Sequence, residues 1–220
     1  MMTLQQLLNF PAAPEVALLF MTCVVLLLEL FVKQKNSLLT YTASQLSLLI
    51  SLVLVSHLYR IPAQLLFHQH YIWDLVAYFI KLSILFFSIF AFVYARDALK
   101  HLGINSGEYY LLGLFSILGM LVLTSANSLL TLYLGLELLS FPLYALVALQ
   151  RKPSDAAEAA MKYFILGALA SGLFLYGLSL LYGATHSLII PTINQVLLQG
   201  GQSPILLTTG LVFIVAGIAF

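Results

Sequence analysis

Apolar runs of about 20 residues recur along this chain with few charges inside them. A helix rising 1.5 Å per residue needs about that length to cross a hydrocarbon core. Six segments meet the test and a seventh begins. They run roughly from Ala13 to Val32, Leu38 to His57, Trp73 to Ala95, Tyr109 to Ser125, Ser128 to Leu149, Ala156 to Tyr182, and Pro204 to Phe220. In lipid, backbone N–H and C=O groups must be satisfied within the segment, so isolated runs of this kind fold as helices. The sequence therefore specifies an all-α, polytopic transmembrane helix bundle. Only Ala126 and Asn127 separate the fourth and fifth spans, which predicts a tight helical hairpin.

Composition removes several function classes. The 220 residues are 62% hydrophobic and 8% charged, against about 25% charged in ordinary soluble domains. A net charge of +1 offers no basic surface for nucleic acid and no acidic one for cationic ligands. The partner that composition implies is the lipid bilayer. Cys23 is a lone cysteine within an apolar run and reads as a packing residue, without a disulfide framework or CxxC pair. His57, His68, His70, His101 and His186 fall at helix ends or in loops. His68 and His70 lack a third ligand, so no metal site is expected. Walker, GxGxxG, HExxH and nucleophile-elbow motifs are absent from the sequence.

Short loops set the expected orientation. Lys33, Lys35, Arg96, Lys100, Arg151 and Lys152 follow odd-numbered spans, whereas only Arg60 lies on the opposite side. The positive-inside rule then places the N-terminus outside the cytoplasm. The first 15 residues lack a basic n-region and a cleavage site, so the first span is expected in the mature protein. The run GLVFIVAGIAF has no polar flank, which suggests a piece of a longer chain. Between Gly183 and Ser203, the pattern Leu188, Ile189, Ile193, Val196, Leu197 suits a short interfacial helix. Pro191 and Gly200-Gly201 suit an irregular loop equally well.

Two charges stand inside apolar helices. Glu137 lies about 18 Å along its helix from Leu149, near mid-membrane. Tyr133, Glu137, Ser140 and Tyr144 recur at helical spacing and form one polar stripe. Pro142 would free the carbonyl of Leu138, beside the glutamate, and favour bound water there. Lys162 lies about 9 Å into the next helix, with Glu158 one turn earlier placed for an i,i+4 pair. Intramembrane ionisable residues usually mark ion or proton paths. The competing readings are a neutral packing carboxyl for Glu137 and a snorkelling amine for Lys162. A direct Glu137–Lys162 pair is not required, since water or a third residue could bridge them.

Other charges read as structural. Lys81, with Asp74 seven positions earlier, suits snorkelling or a structural pair as well as function, and Glu29 suits an interfacial pair with Lys33. Gly167 with Ser171 and Ala168 with Gly172 are small-xxx-small pairs that would let helices approach closely.

The stretch from Gly107 to Tyr182, above all LGLELLSFPLYAL followed by AAMKYFILGA, resembles the subunit N family of bacterial proton-translocating NADH:quinone oxidoreductase, respiratory complex I. Related members include the M and L subunits, Mrp-type cation/proton antiporters and hydrogenase membrane subunits. The resemblance implies an antiporter-like fold, with residues 1–107 as three leading helices and 108–220 as part of an inverted repeat. It also implies that Glu137 and Lys162 are the proton-translocating residues, to which helical spacing and the proline add Tyr133, Ser140, Pro142, Tyr144 and Glu158 in support. The family's central lysine would fall after Phe220. No cofactor is implied in this chain; NADH, FMN, iron–sulfur clusters and quinone would belong to partner subunits of complex I in the bacterial inner membrane. The alternatives are a subunit of a cation/proton antiporter or hydrogenase-related complex, and a structural membrane subunit.

Overall fold

The structure is a computed structural model and describes residues 9–31, 37–102, 106–149, 154–199 and 204–219. Lys33, Lys35, Arg151 and Lys152, which carry most of the orientation argument, lie outside these ranges, as do Gly200 and Gly201. The helices are α1 (Ala13–Phe31), α2 (Ser37–His57), α3 (Leu75–Leu102), α4 (Ser106–Thr124), α5 (Leu129–Val147), α6 (Ser154–Thr185), α7 (Ile190–Leu198) and α8 (Pro204–Ala219). The first six are long and apolar enough to cross a membrane, and α8 is a shorter apolar helix of 16 residues.

Side chains are sorted as a lipid environment requires. On α2, Thr40, Ser44, Ser47 and Ser51 face inward, while Leu38, Leu39, Leu46, Leu49 and Val53 point out. Small hydroxyl residues inside allow close backbone packing, and large apolar ones outside meet acyl chains. The buried hydroxyls are not orphaned: Ser44 donates to Thr40 O at 2.8 Å, Ser47 to Ala43 O at 2.8 Å and Ser51 to Ser47 O at 3.0 Å. Cys23 corrects the expectation of a packing role. It is exposed, one position past the fully buried Thr22.

Two apolar clusters organise the chain. Leu18, Val25, Leu48, Leu85, Leu114 and Leu121 join α1 to α4. Phe174, Leu178, Leu181, Leu207 and Ile214 join α6 to α8, with Leu132 and Leu136 of α5 packed against them. A Cβ on Gly119 of α4 would lie 2.8 Å from the Leu138 carbonyl carbon of α5, so these helices nearly touch through backbone. Gly177 and Gly217 play the same part between α6 and α8, where a Cβ on Gly177 would lie 2.7 Å from Gly210 O. The expected pairs do not: Gly167 makes room for the Tyr144 ring and hydroxyl, and a Cβ on Gly172 would meet open space. Small spacing shows which residues could admit a neighbour; tertiary placement decides which ones do.

Turn chemistry fixes one end of the bundle. Asp74 caps α3, its Oδ1 accepting from Ala77 N at 2.7 Å, and Ser128 caps α5, its Oγ accepting from Thr131 N at 3.2 Å. Between α2 and α3 the chain forms an antiparallel hairpin of β1 (Gln64–Leu66) and β2 (Tyr71–Trp73), pairing Gln64 with Trp73, Leu65 with Ile72 and Leu66 with Tyr71. Its tip holds Phe67, His68 and Gln69 at φ 52°, 54° and 70°, a left-handed run uncommon without glycine. Tertiary bonds hold that tip: Asn127 donates from Nδ2 to Gln69 O at 2.7 Å and from N to His70 O at 3.0 Å. Ile72 N also donates to Ser125 O at 2.9 Å. The loop before α7 joins the same junction through Leu129 N to Leu188 O at 2.9 Å and Ile190 N to Asn127 O at 3.1 Å. Of the two readings of the Gly183 to Ser203 segment, the helix is realised over Ile190–Leu198.

Candidate functional site: a carboxylate at a cavity between α5, α6 and α8

The polar stripe of α5 opens on one cavity. Tyr133, Glu137, Ser140 and Tyr144 line it from α5, Tyr163, Gly167, Ser171 and Phe174 from α6, and Gly217 and Ile218 from α8. Its volume is about 230 Å³, room for several waters at about 30 Å³ each. Glu137 is half-buried at the wall, where Oε1 accepts a hydrogen bond from Ser171 Oγ. Tyr133 lies one turn away, close enough to interact with the same carboxylate, and Ser140 stands beside Tyr144 at the cavity. Tyr133 stacks on Phe174, ring centroids 5.8 Å apart, and Tyr144 packs edge-on to Tyr163 at 4.8 Å. Glu137 therefore sits among hydroxyls in a space that can hold water, with a fixed donor on one oxygen.

Lys162 is placed otherwise. Its Nζ lies 2.6 Å from Glu158 Oε1, forming the i,i+4 pair, and the two side chains are 71% and 66% exposed. Lys162 does not line the cavity, although its neighbour Tyr163 does. Nine residues separate it from Ser171, so at about 100° per residue it stands on the far side of α6 and about 13 Å away along the axis. The structure groups Glu137 with Ser171, and Lys162 with Glu158. Pro142 is buried within α5, and Leu138, whose carbonyl it frees, does not line the cavity but packs on Gly119 of α4. At Leu138 the backbone thus packs toward α4.

Sequence reasoning missed Ser171, read only as a packing residue, and Tyr163. A signal for Ser171 existed: it is a hydroxyl on the Gly167 face of the next span. It also misplaced Lys81, which is fully buried and pairs with Glu15 of α1, while Asp74 is engaged as the cap of α3. Glu29 accepts from Thr40 Oγ1, and its carboxyl fills the space over Gly107. Its expected partner Lys33 lies outside the described residues. Among the described residues, no three His, Cys, Asp or Glu side chains form a metal-binding group.

The bundle thus carries a mid-helix carboxylate at a cavity between three helices. Residues 126–220 match the family described as NADH:quinone oxidoreductase/Mrp antiporter, TM. The chain is 44% identical over 210 residues, 96% of its length, to NADH-quinone oxidoreductase subunit N of Nitrosomonas europaea. It is 47% identical over 210 residues, 95% of its length, to subunit N of Halorhodospira halophila. It spans 44% and 43% of the length of these two relatives. In structure it superposes on a chain of respiratory complex I from Thermus thermophilus with a TM-score of 0.74 and 30% identity, over 94% of this chain and 43% of that one. Over the matched residues the chain is similar to the antiporter-like membrane subunits that include subunit N of NADH:quinone oxidoreductase.

Proposed function

We propose that this chain is part of a proton-translocating membrane subunit of an NADH:quinone oxidoreductase, in which Glu137 takes up and passes on protons through water in the α5–α6–α8 cavity. The observation that carries this reading is the carboxylate itself: it is mid-helix in an apolar span, hydrogen-bonded by Ser171 and facing a cavity of mixed polar and apolar lining. A carboxylate placed so can exchange a proton with water at small reorganisation cost, because its donors are already in place. The Lys162–Glu158 pair on the far side of α6 supplies a second exchangeable charge. Electron transfer from NADH through FMN and iron–sulfur clusters to quinone falls to partner subunits of the complex. The setting is a bacterial inner membrane with the N-terminus on the periplasmic side.

The deciding experiment is proton transport by the whole membrane complex carrying Glu137→Gln. Loss of transport with the complex still assembled supports the assignment, and transport at the parent rate refutes it. The family description also names Mrp antiporters, which makes cation/proton exchange the second reading. A requirement for sodium or potassium in the same assay would favour it.

A further inference from the structure

We propose that a groove on α3, at the hairpin end of the bundle, holds one acyl chain of a phospholipid whose phosphate pairs with Arg60. The inference needs only that α3 crosses a bilayer, and it uses none of the residues around Glu137.

The groove follows one face of α3. Phe79, Ser83, Phe87 and Ala91 line it at four-residue spacing, Met120 borders it from α4, and its volume is about 510 Å³. Phe79 and Phe87 are 57% and 68% exposed, so large apolar walls stand uncovered. The Ser83 hydroxyl donates to Phe79 O at 2.9 Å, so its proton is not available to a ligand. Such a wall suits hydrocarbon.

Length decides between a lipid tail and a helix of another subunit. From Phe79 to Ala91 the helix rises about 18 Å. One leaflet contributes about 15 Å of the roughly 30 Å hydrocarbon core, whereas a helix would cross all of it. The groove starts one turn into α3, and Met120 stands one turn from the end of α4 at Thr124, so both walls lie in the leaflet at the hairpin end.

A headgroup anchor stands at that end. Arg60 closes the short 3₁₀ turn Leu58–Arg60 that follows α2, and it is exposed. Its neighbour Tyr59 packs on Tyr78 at 5.2 Å, and Tyr78 on Phe79 at 5.0 Å, so the turn leads to the lip of the groove. Among the described residues Arg60 is the one exposed lysine or arginine at this end, and no carboxylate pairs with it. Asp74, at the start of α3, is committed to capping Ala77 N. A guanidinium holds phosphate through two parallel hydrogen bonds, and tyrosines gather at headgroup level.

Photolabelling of the full-length protein in its membrane complex tests the proposal, with phosphatidylglycerol carrying a diazirine on one acyl chain. Labels should concentrate on α3 between Phe79 and Ala91 and on Met120. Arg60→Ala should cut labelling there about fivefold, the effect of one basic residue at a lipid surface, and Arg60→Lys, which keeps the charge, should retain most of it. A diacylglycerol with the same labelled tail, lacking the phosphate, should show no preference for the groove. Even labelling of all lipid-facing helices, labelling indifferent to Arg60→Ala, or a groove left unlabelled because a partner helix covers it overturns the proposal.

Discussion

Ser171 of α6 donates its hydroxyl hydrogen to the carboxylate of Glu137 on α5, so the two helices meet at the cavity through a side-chain bond. Hydrogen bonds to charged groups are worth about 1.5–3 kcal/mol. Removing this donor with Ser171→Ala should slow proton transport by about tenfold, which corresponds to about 1.4 kcal/mol. Assembly should be unaffected, and Glu137→Gln should abolish transport altogether. Proton uptake into vesicles carrying each variant complex measures both.

Two glycines of α6 should respond differently to alanine. At Gly167 the new methyl meets the end of the Tyr144 side chain, which can swing aside. Gly167→Ala should cost about 1 kcal/mol, the low end for overpacking, yet displace Tyr144 from the cavity and slow transport. At Gly177 the methyl meets Gly210 O at 2.7 Å and Ile214 N at 2.8 Å, backbone atoms that cannot rotate away. Gly177→Ala should cost about 3 kcal/mol, the high end. Thermal unfolding of the two variants side by side checks the order.

Lys81 and Glu15 should not be equivalent in stability. Lys81→Met leaves a buried carboxylate without its counter-charge, and breaking a buried pair in this way costs about 3–5 kcal/mol. Glu15→Gln leaves an ammonium that still has the Tyr71 and Trp73 rings and the Tyr71 hydroxyl. Its cost should be smaller. Denaturant midpoints of the two single variants give the comparison.

Tyr71, in the hairpin, should make stability fall at alkaline pH. Burial first, and then the negative charge of Glu15, push its phenol well above the ordinary value of 10.0. The folded state therefore holds this proton more tightly than the unfolded one, and stability falls with pH wherever the folded state binds more protons. The contribution is complete below about 10 and declines above it, as the unfolded phenol ionises first. The stability difference between the parent and Tyr71→Phe should be constant up to that pH and shrink beyond it, as unfolding measured across the alkaline range would show.

The sequence made the helices legible because each apolar run is long enough to declare itself, and the stripe from Tyr133 to Tyr144 because helical spacing alone puts those residues on one face. The α4–α5 hairpin followed from the two residues between the spans. What stayed hidden depends on partners far away in the chain. Glu15 and Lys81 are 66 positions apart, and nothing local marks them as a pair. Ser171 is informative only once α6 is turned toward α5. The β-hairpin is held by Asn127 and Ser125, nearly sixty residues on, and its tip uses left-handed backbone where no glycine advertises it. Lys162 carried a true local signal, its spacing from Glu158, but the direction of that face relative to Glu137 follows from the packing of α6.

The hairpin, the α4–α5 turn and the lead into α7 share main-chain hydrogen bonds at one end of the molecule. Loops stitched together in this way travel as one rigid plate. Any tilting of α5 against α6 that widens the space around Glu137 must then pivot at that plate, and the displacement grows toward the opposite ends of the helices.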